Sequence, residues 1–538
     1  MKKILIIIFL GLLVYFPILF NGFVWDDEAT FQKASSILGN VYFRPIISAI
    51  ESVIYNIFGP RPFFFHLFQL TFHIIVAILI FYLFRRFFKE TISLILAIIF
   101  LVHPVNVEAV SFASAMQEVV FTLTGIIGLY LFVNTEERMD SRRSLPSTPI
   151  GGGDDKKKSG NDVYLKVFFG TLFLLIALLM KETAIVFFVL VFGYLLLFKR
   201  KQTNVLVNYS IFAVISLTTY LFVRILNGNL YVQGQGLFPI MRVSLTTRLI
   251  NIPMIILFYL TKFFYPINLG IAQNWVVRTV DLRSFWLPII IVTGLFLLGI
   301  LLSFPPPFGD RLRRESRLNK PFLFFFLWFL IGLLPHLQIV PLNMTVAERW
   351  LYFPMIGLLG MIGAVIKISN IKYQKSKILL SFAIVIITIF SIRSFVRTLD
   401  WRNGLALFGH DIRKDSSFDL QNNFGVELFR VGRYDEAKKY FEISTKLAPY
   451  WWVNWNNLGA SYEREKNYQK ATEYYQKAIG NGQYYLAYEN MAKILVLHGN
   501  DPKKAVEFLK KSLELFPKDE ILQQLQVYYQ QKISHSQP

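Results

Sequence analysis

The sequence predicts an all-α protein: a polytopic membrane helical bundle of about eleven or twelve spans, followed by an α-solenoid of short helical repeats. Residues 1–400 hold long apolar runs separated by short polar loops, and a bilayer core takes about 20 apolar residues per helix. Residues 401–538 are polar and soluble in character. Within them Ala437, Ala471 and Ala505 recur with a spacing of 34, as do Phe441, Tyr475 and Leu509. The 54% hydrophobic content and mean hydropathy of +0.45 average over these two unlike halves.

Spans are drawn at 4–20, 66–84, 91–107, 118–133, 163–180, 183–198, 205–224, 285–303, 321–337, 350–367 and 376–392. Met1-Lys2-Lys3 before Ile4–Phe20 has the outline of a signal peptide, but Asn21-Gly22-Phe23-Val24-Trp25 offers no small-residue cleavage site. The segment therefore reads as an uncleaved first span. Basic residues set orientation by gathering in cytoplasmic loops. They follow the second, fourth and sixth spans (Arg85, Arg86 and Lys89; Arg138, Arg142, Arg143 and Lys156–Lys158; Lys199, Arg200 and Lys201). They recur at Arg311–Lys320 and at Lys372, Lys375 and Lys377. This alternation places the N-terminus inside and the C-terminus outside, provided the long outer loop 225–284 does not cross. The apolar stretch 249–265 inside it is then interfacial or re-entrant, with Pro253 and Pro266 suited to a broken segment; if it crosses instead, the count rises to twelve or more. The other long outer loop is 21–65. Residues 138–162, rich in Gly, Ser, Pro and Lys, are expected to be a disordered cytoplasmic loop.

The formal net charge of +21 belongs to these loops, where it meets anionic lipid. No aromatic stacking platform alternates with the charge, so nucleic acid is not an expected partner. With no cysteine in the chain, disulfides, Cys-ligated zinc and thiol catalysis are excluded. No metal-ligand spacing such as His-x-x-x-His is present, and no Gly-rich nucleotide fingerprint follows a strand.

After a linker at 401–417, units fall at 418–451, 452–485 and 486–519, with a capping helix and tail at 520–538. Trp455, Leu458, Gly459, Tyr462, Ala471, Tyr475 and Ala478 resemble the tetratricopeptide repeat pattern. Small residues early and late in each unit let its two helices touch, and a final helix covers the exposed apolar face. Such arrays usually bind a peptide or protein partner; a rigid spacer is the alternative.

Polar groups are the informative part of a membrane body. By the topology above, all of the following fall on the outer face. The first outer loop carries Trp25-Asp26-Asp27-Glu28 and then Tyr42-Phe43-Arg44-Pro45; the second begins His103-Pro104, with Glu108 and Ala109 close behind. Lys181-Glu182-Thr183 forms a third outer turn, and Ala347-Glu348-Arg349-Trp350-Leu351-Tyr352 leads into the tenth span. Adjacent Asp26 and Asp27 repel, so one holds a raised pKa or a divalent cation bridges them. A carboxylate of this kind can take a proton from an attacking hydroxyl. Arg44 and Arg349 can each grip a phosphate in two-pronged fashion, or pair with Glu108 or Glu348. Lys181-Glu182 can close a helical hairpin, and His103 can cap a turn.

In their order along the chain these motifs resemble the transmembrane and tetratricopeptide-repeat-containing O-mannosyltransferases, a family with the C-type glycosyltransferase fold, in a prokaryotic version. The resemblance implies a 1–400 glycosyltransferase-like domain in an inner or plasma membrane, with an extracytoplasmic repeat array. It implies a polyprenyl-phosphate-linked sugar donor, a secreted or envelope protein (or lipid) acceptor, and transfer of a single sugar, mannose in the family, with inversion. Asp26 matches the family's general base, with Asp27 sharing the role. Arg349 is placed at the donor phosphate, and Lys181, Glu182, His103, Glu108, Arg44, Glu348 and Tyr352 are further substrate-binding candidates. A single leaving phosphate does not by itself require a metal, and a divalent cation is the one cofactor left open. Two departures are the short repeat array and a composition that does not assure mannose. An envelope glycan polymerase or ligase using a lipid-linked oligosaccharide, and a non-enzymatic repeat scaffold in the membrane, are the alternative readings.

Overall fold

The computed structural model describes residues 1–31, 43–135, 153–227, 236–271, 273–303, 319–368, 373–499 and 501–534. Tyr42, the basic residues 138–143 and 311–317, and Lys372 lie outside that description. The chain divides into two compact units, Met1–Asn403 and Gly404–Pro538.

Among the described residues of the first unit, eight helices are long and apolar enough to cross a membrane. In chain order its helices are α1 (Lys2–Tyr15), α2 (Asp26–Phe31), α3 (Pro45–Phe58), α4 (Pro62–Phe84), α5 (Glu90–Val102) and α6 (Asn106–Ser111). There follow α7 (Met116–Val133), α8 (Gly153–Met180), α9 (Ile185–Phe198), α10 (Thr203–Leu226) and α11 (Leu245–Phe264). The last four are α12 (Leu287–Ser303), α13 (Lys320–Leu333), α14 (Pro354–Ile368) and α15 (Tyr373–Asp400).

Several expectations are corrected. The spans drawn at 91–107, 183–198, 321–337 and 350–367 correspond to shorter apolar helices. Polar turns at His103-Pro104, at Glu182–Ala184 and between Leu334 and Phe353 use up their ends. At 1.5 Å per residue, the 13 residues of α5 reach only about 20 Å. The stretch 249–265 is not broken: α11 runs through Pro253 for 20 residues, because neighbouring helices let a buried proline sit inside an apolar helix. From Gly153 onward the low-complexity segment is helical. An established span adds one backbone bond per residue without a new nucleation cost. The expected linker 401–417 contains α16 (Gly404–Asp411), anchored by buried Leu407 and Phe408.

Rings and small residues hold the bundle together. Phe84, Phe324, Phe325, Trp328, Phe187 and Phe353 are all buried. Gly357 lets α14 approach α13 closely: a Cβ there would lie 2.6 Å from the Phe329 nitrogen and 2.7 Å from the Phe325 oxygen. Small residues at such crossings are how helices pack where water supplies no driving force.

The second unit stacks antiparallel helix pairs. These are α17 (Phe418–Arg430) with α18 (Tyr434–Leu447), α19 (Trp452–Arg464) with α20 (Tyr468–Asn481), and α21 (Tyr485–Leu497) with α22 (Pro502–Leu515), closed by α23 (Glu520–Ser534). Ala437, Ala471 and Ala505 are fully buried, and Phe441, Tyr475 and Leu509 nearly so. Leu522 and Tyr529 of α23 complete the same core. A second period of 34, at Asn422, Asn456 and Asn490, is polar: Asn457, beside Asn456, donates Nδ2 to Asn422 Oδ1 at 2.9 Å, and Asn490 Nδ2 donates to Asn456 Oδ1 at 3.1 Å, lacing each repeat to the next.

Candidate active site

Segments far apart in sequence converge on one polar cavity of about 240 Å3 in the first unit. Asp26 enters from α2, Arg44 from the residue before α3, and Glu51 from α3 itself. Gln117 and Glu118 come from α7, Lys181 and Glu182 from the turn after α8, and Arg349 from the 3-10 turn Glu348–Leu351.

The backbone separates the two aspartates. Trp25 sits at φ 55°, a left-handed conformation that costs a bulky residue about 1–3 kcal/mol. Its ring is stacked on Phe112 at 5.3 Å, which holds it there. Asp27 turns into the protein and is fully buried. Its Oδ1 accepts from the Ser114 hydroxyl at 2.6 Å and the Ser114 amide at 2.7 Å. Its Oδ2 accepts from Ala113 N at 3.3 Å and Val24 N at 3.4 Å. Burial pushes its pKa up to about 7 against those donors. Asp26 faces the other way, open to the cavity, and makes no hydrogen bond among the described residues. Desolvation by the surrounding walls raises its pKa, with Arg349 drawing it back; water reaching the carboxyl limits the push. Because the two carboxyls diverge, a cation bridging them lacks its second ligand. Among the described residues no three His, Asp or Glu side chains cluster in a metal-binding arrangement.

The cavity's cations are held by its walls. Arg44 gives Nε and Nη2 to Glu182, at 3.0 and 2.6 Å, and Nη1 to Gln117 at 2.7 Å. Its two-pronged face is thus spent on protein, which corrects its placement at a phosphate. Lys181 Nζ is paired with Glu118, both nearly buried. Arg349 is braced from behind by Glu108, which takes its Nη1 and, at 2.9 Å, its backbone amide. Rings of Trp25, Phe112 and Trp350 surround its guanidinium at 5.8–5.9 Å. This arrangement fixes Arg349 on the same cavity as Asp26.

Four further candidates lie behind the wall. Glu108 contacts Arg349 and does not line the cavity. Glu348 accepts from Gly270 N at 2.7 Å, with Lys262 at 3.8 Å. Tyr352 and His73 share a bond of 2.8 Å. His103 meets the Phe263 carbonyl at 3.0 Å and accepts from Val105 N at 3.3 Å; it borders a separate apolar pocket. Buried polar groups need internal partners: Glu348, Tyr352 and His103 have found theirs away from the cavity, and Glu108 has found its own in the cavity-lining Arg349.

Glu51, Ser114, Gln117 and Glu118 were missed. Glu51 had a readable signal, as the sole charged residue in the apolar run Pro45–Phe58. The Glu118–Lys181 pair had none, because 63 positions separate the partners.

Two models described as tetratricopeptide repeat match residues 418–450 and 452–479. Human protein O-mannosyl-transferase TMTC3 is 22% identical across 89% of this chain and 55% of its own length. The mouse protein of the same name is 21% identical across 96% of this chain and 60% of its own length. The chain is similar to TMTC-type proteins along almost its whole length. It spans a little over half the length of those curated relatives. By contrast, BBSome complex member BBS4 of Mus musculus is 32% identical across only 19% of this chain and 20% of its own. A match so short has the reach of a repeat array alone. The TMTC3 matches extend far beyond any such array, into the membrane body.

Proposed function

We propose that this chain is a membrane glycosyltransferase that moves a single sugar, mannose by analogy with the named relatives, from a polyprenyl-phosphate donor to a protein hydroxyl on the extracytoplasmic face. The observation that carries this reading is the pairing of an unbonded carboxylate, Asp26, with a braced guanidinium, Arg349, across one small polar cavity. The Asp26 carboxylate takes the acceptor hydroxyl proton as that oxygen bonds to the anomeric carbon. The bond from that carbon to the phosphate oxygen breaks, and polyprenyl phosphate leaves with the electron pair, inverting the carbon. Arg349 offsets the charge gathering on the leaving phosphate. The volume of about 240 Å3 is below the roughly 300–1,000 Å3 of sites for drug-sized ligands. That favours one sugar over a preassembled glycan. The repeats favour a protein acceptor.

The test is transfer from radiolabelled polyprenyl-phosphate sugars to envelope extract. Asp26→Asn is expected to lose about 10²–10⁴-fold in rate with an unchanged thermal midpoint. Asp27→Asn, which puts an amide among four donors, is expected to lower the midpoint. Full transfer by folded Asp26→Asn protein would sink the assignment.

A further inference from the structure

We propose that Glu51 reads the transferred sugar, its carboxyl exchanging hydrogen bonds with a ring hydroxyl; this rests on the transferase reading above.

The partners of the cavity's charged groups single it out. Glu118 is bonded to Lys181, and Glu182 to Arg44. Asp26 is open and assigned to the acceptor proton. That leaves Glu51, the solitary charge of α3. It is 5% exposed, lines the cavity, and makes no hydrogen bond or ion pair among the described residues. A carboxyl this deep with no protein partner is costly unless water or a ligand in the cavity completes it. The neighbouring titratable groups are Asp27 from α2, Arg44 at the start of its own helix, Glu118 from α7, and Lys181 and Glu182 after α8. From α4 the titratable side chains are the buried His66 and His73, with Tyr82 near its far end.

Burial first, and then the charge of Asp27, push Glu51 up to about 8, with Arg44 acting in the opposite direction. Near neutrality Glu51 therefore keeps its proton, and its carboxyl both donates and accepts. A sugar hydroxyl has the same dual character. An ionised carboxylate offers acceptors only, so the hydrogen bond that Glu51 donates is lost as pH rises through about 8, while a sugar hydroxyl can still donate to it.

The experiment measures donor KM and kcat for wild type, Glu51→Gln and Glu51→Ala from pH 6 to 9, with thermal midpoints of all three. The amide of Gln copies the neutral acid, both donor and acceptor. Wild-type donor KM is expected to rise above pH 8, that of Glu51→Gln to stay near the neutral wild-type value at every pH, and that of Glu51→Ala to be raised about tenfold throughout. Acceptor KM is expected to stay unchanged. Two results overturn the proposal: Glu51→Ala with wild-type donor KM, or a folded Glu51→Gln as impaired as Glu51→Ala, which would make the charge the working feature. Wild-type protein that transfers from no polyprenyl-phosphate sugar would instead overturn the transferase reading, and this role with it.

Discussion

The two units of the chain handle charge in opposite ways. In the membrane unit, Lys181 and Glu118 are paired with side chains 5% and 3% exposed, and Arg349 and Glu108 with 14% and 1%. In the repeat unit, pairs such as Arg433–Glu436 and Lys477–Glu473 expose about half of each side chain, although Asp411 beside His410 is buried. The repeat unit's core is made of rings, alanines and leucines, with Asn422, Asn454 and Asn456 buried beside it. A buried pair is weak as a source of stability, since desolvation offsets its attraction, but breaking one half strands the other charge. A surface pair costs little to make or to lose. The bundle's buried pairs line or back its polar cavity, whereas the array is built round a repeated apolar seam with asparagine bonds between repeats.

That contrast can be broken or sharpened by substitution. The largest stability effect is expected from Lys181→Met, which leaves Glu118 alone in the wall. A loss of about 3–5 kcal/mol would be read as a large drop in thermal midpoint in detergent, and an unchanged midpoint would remove the distinction between the units. In the array, Gly459→Ala is expected to cost about 1–3 kcal/mol. The new Cβ would lie 2.7 Å from the Tyr475 ring, and that ring is tethered by its hydroxyl to Glu463 at 2.5 Å. Faster hydrogen exchange confined to α19 and α20 would report it. Glu473→Ala, which removes an exposed pair, is expected to cost about 0.5 kcal/mol or less; a clear fall in midpoint would show that surface charge matters more to the array than its burial suggests.

Legibility differed in the same way. The period of 34 made Ala437, Ala471, Ala505 and Tyr475 readable as core, because each repeat meets its neighbour through the same positions. Asn422, Asn456 and Asn490 carried an equally clear period that was passed over. In the bundle, polar residues near span ends flagged Asp26, Arg44, Lys181 and Arg349, and all four line the cavity. Their neighbours His103, Glu108, Glu348 and Tyr352 carried the same flag and lie behind it. Nothing local separates the two groups, since a polar side chain beside an apolar run has one signature whether it faces a substrate or another helix.

The sequence by itself determined an all-helical chain with a membrane-type body and a repeat array, because apolar run length and a fixed period are properties of neighbouring residues. It also determined which few positions carry charge next to apolar runs. Only the tertiary structure decided that Asp26 opens to the cavity while Asp27 is locked to Ser114, that Glu182 occupies Arg44, and that Glu51 stands without a partner. Those outcomes depend on contacts between segments up to a few hundred positions apart, and on the left-handed turn at Trp25 that aims two adjacent carboxyls in different directions.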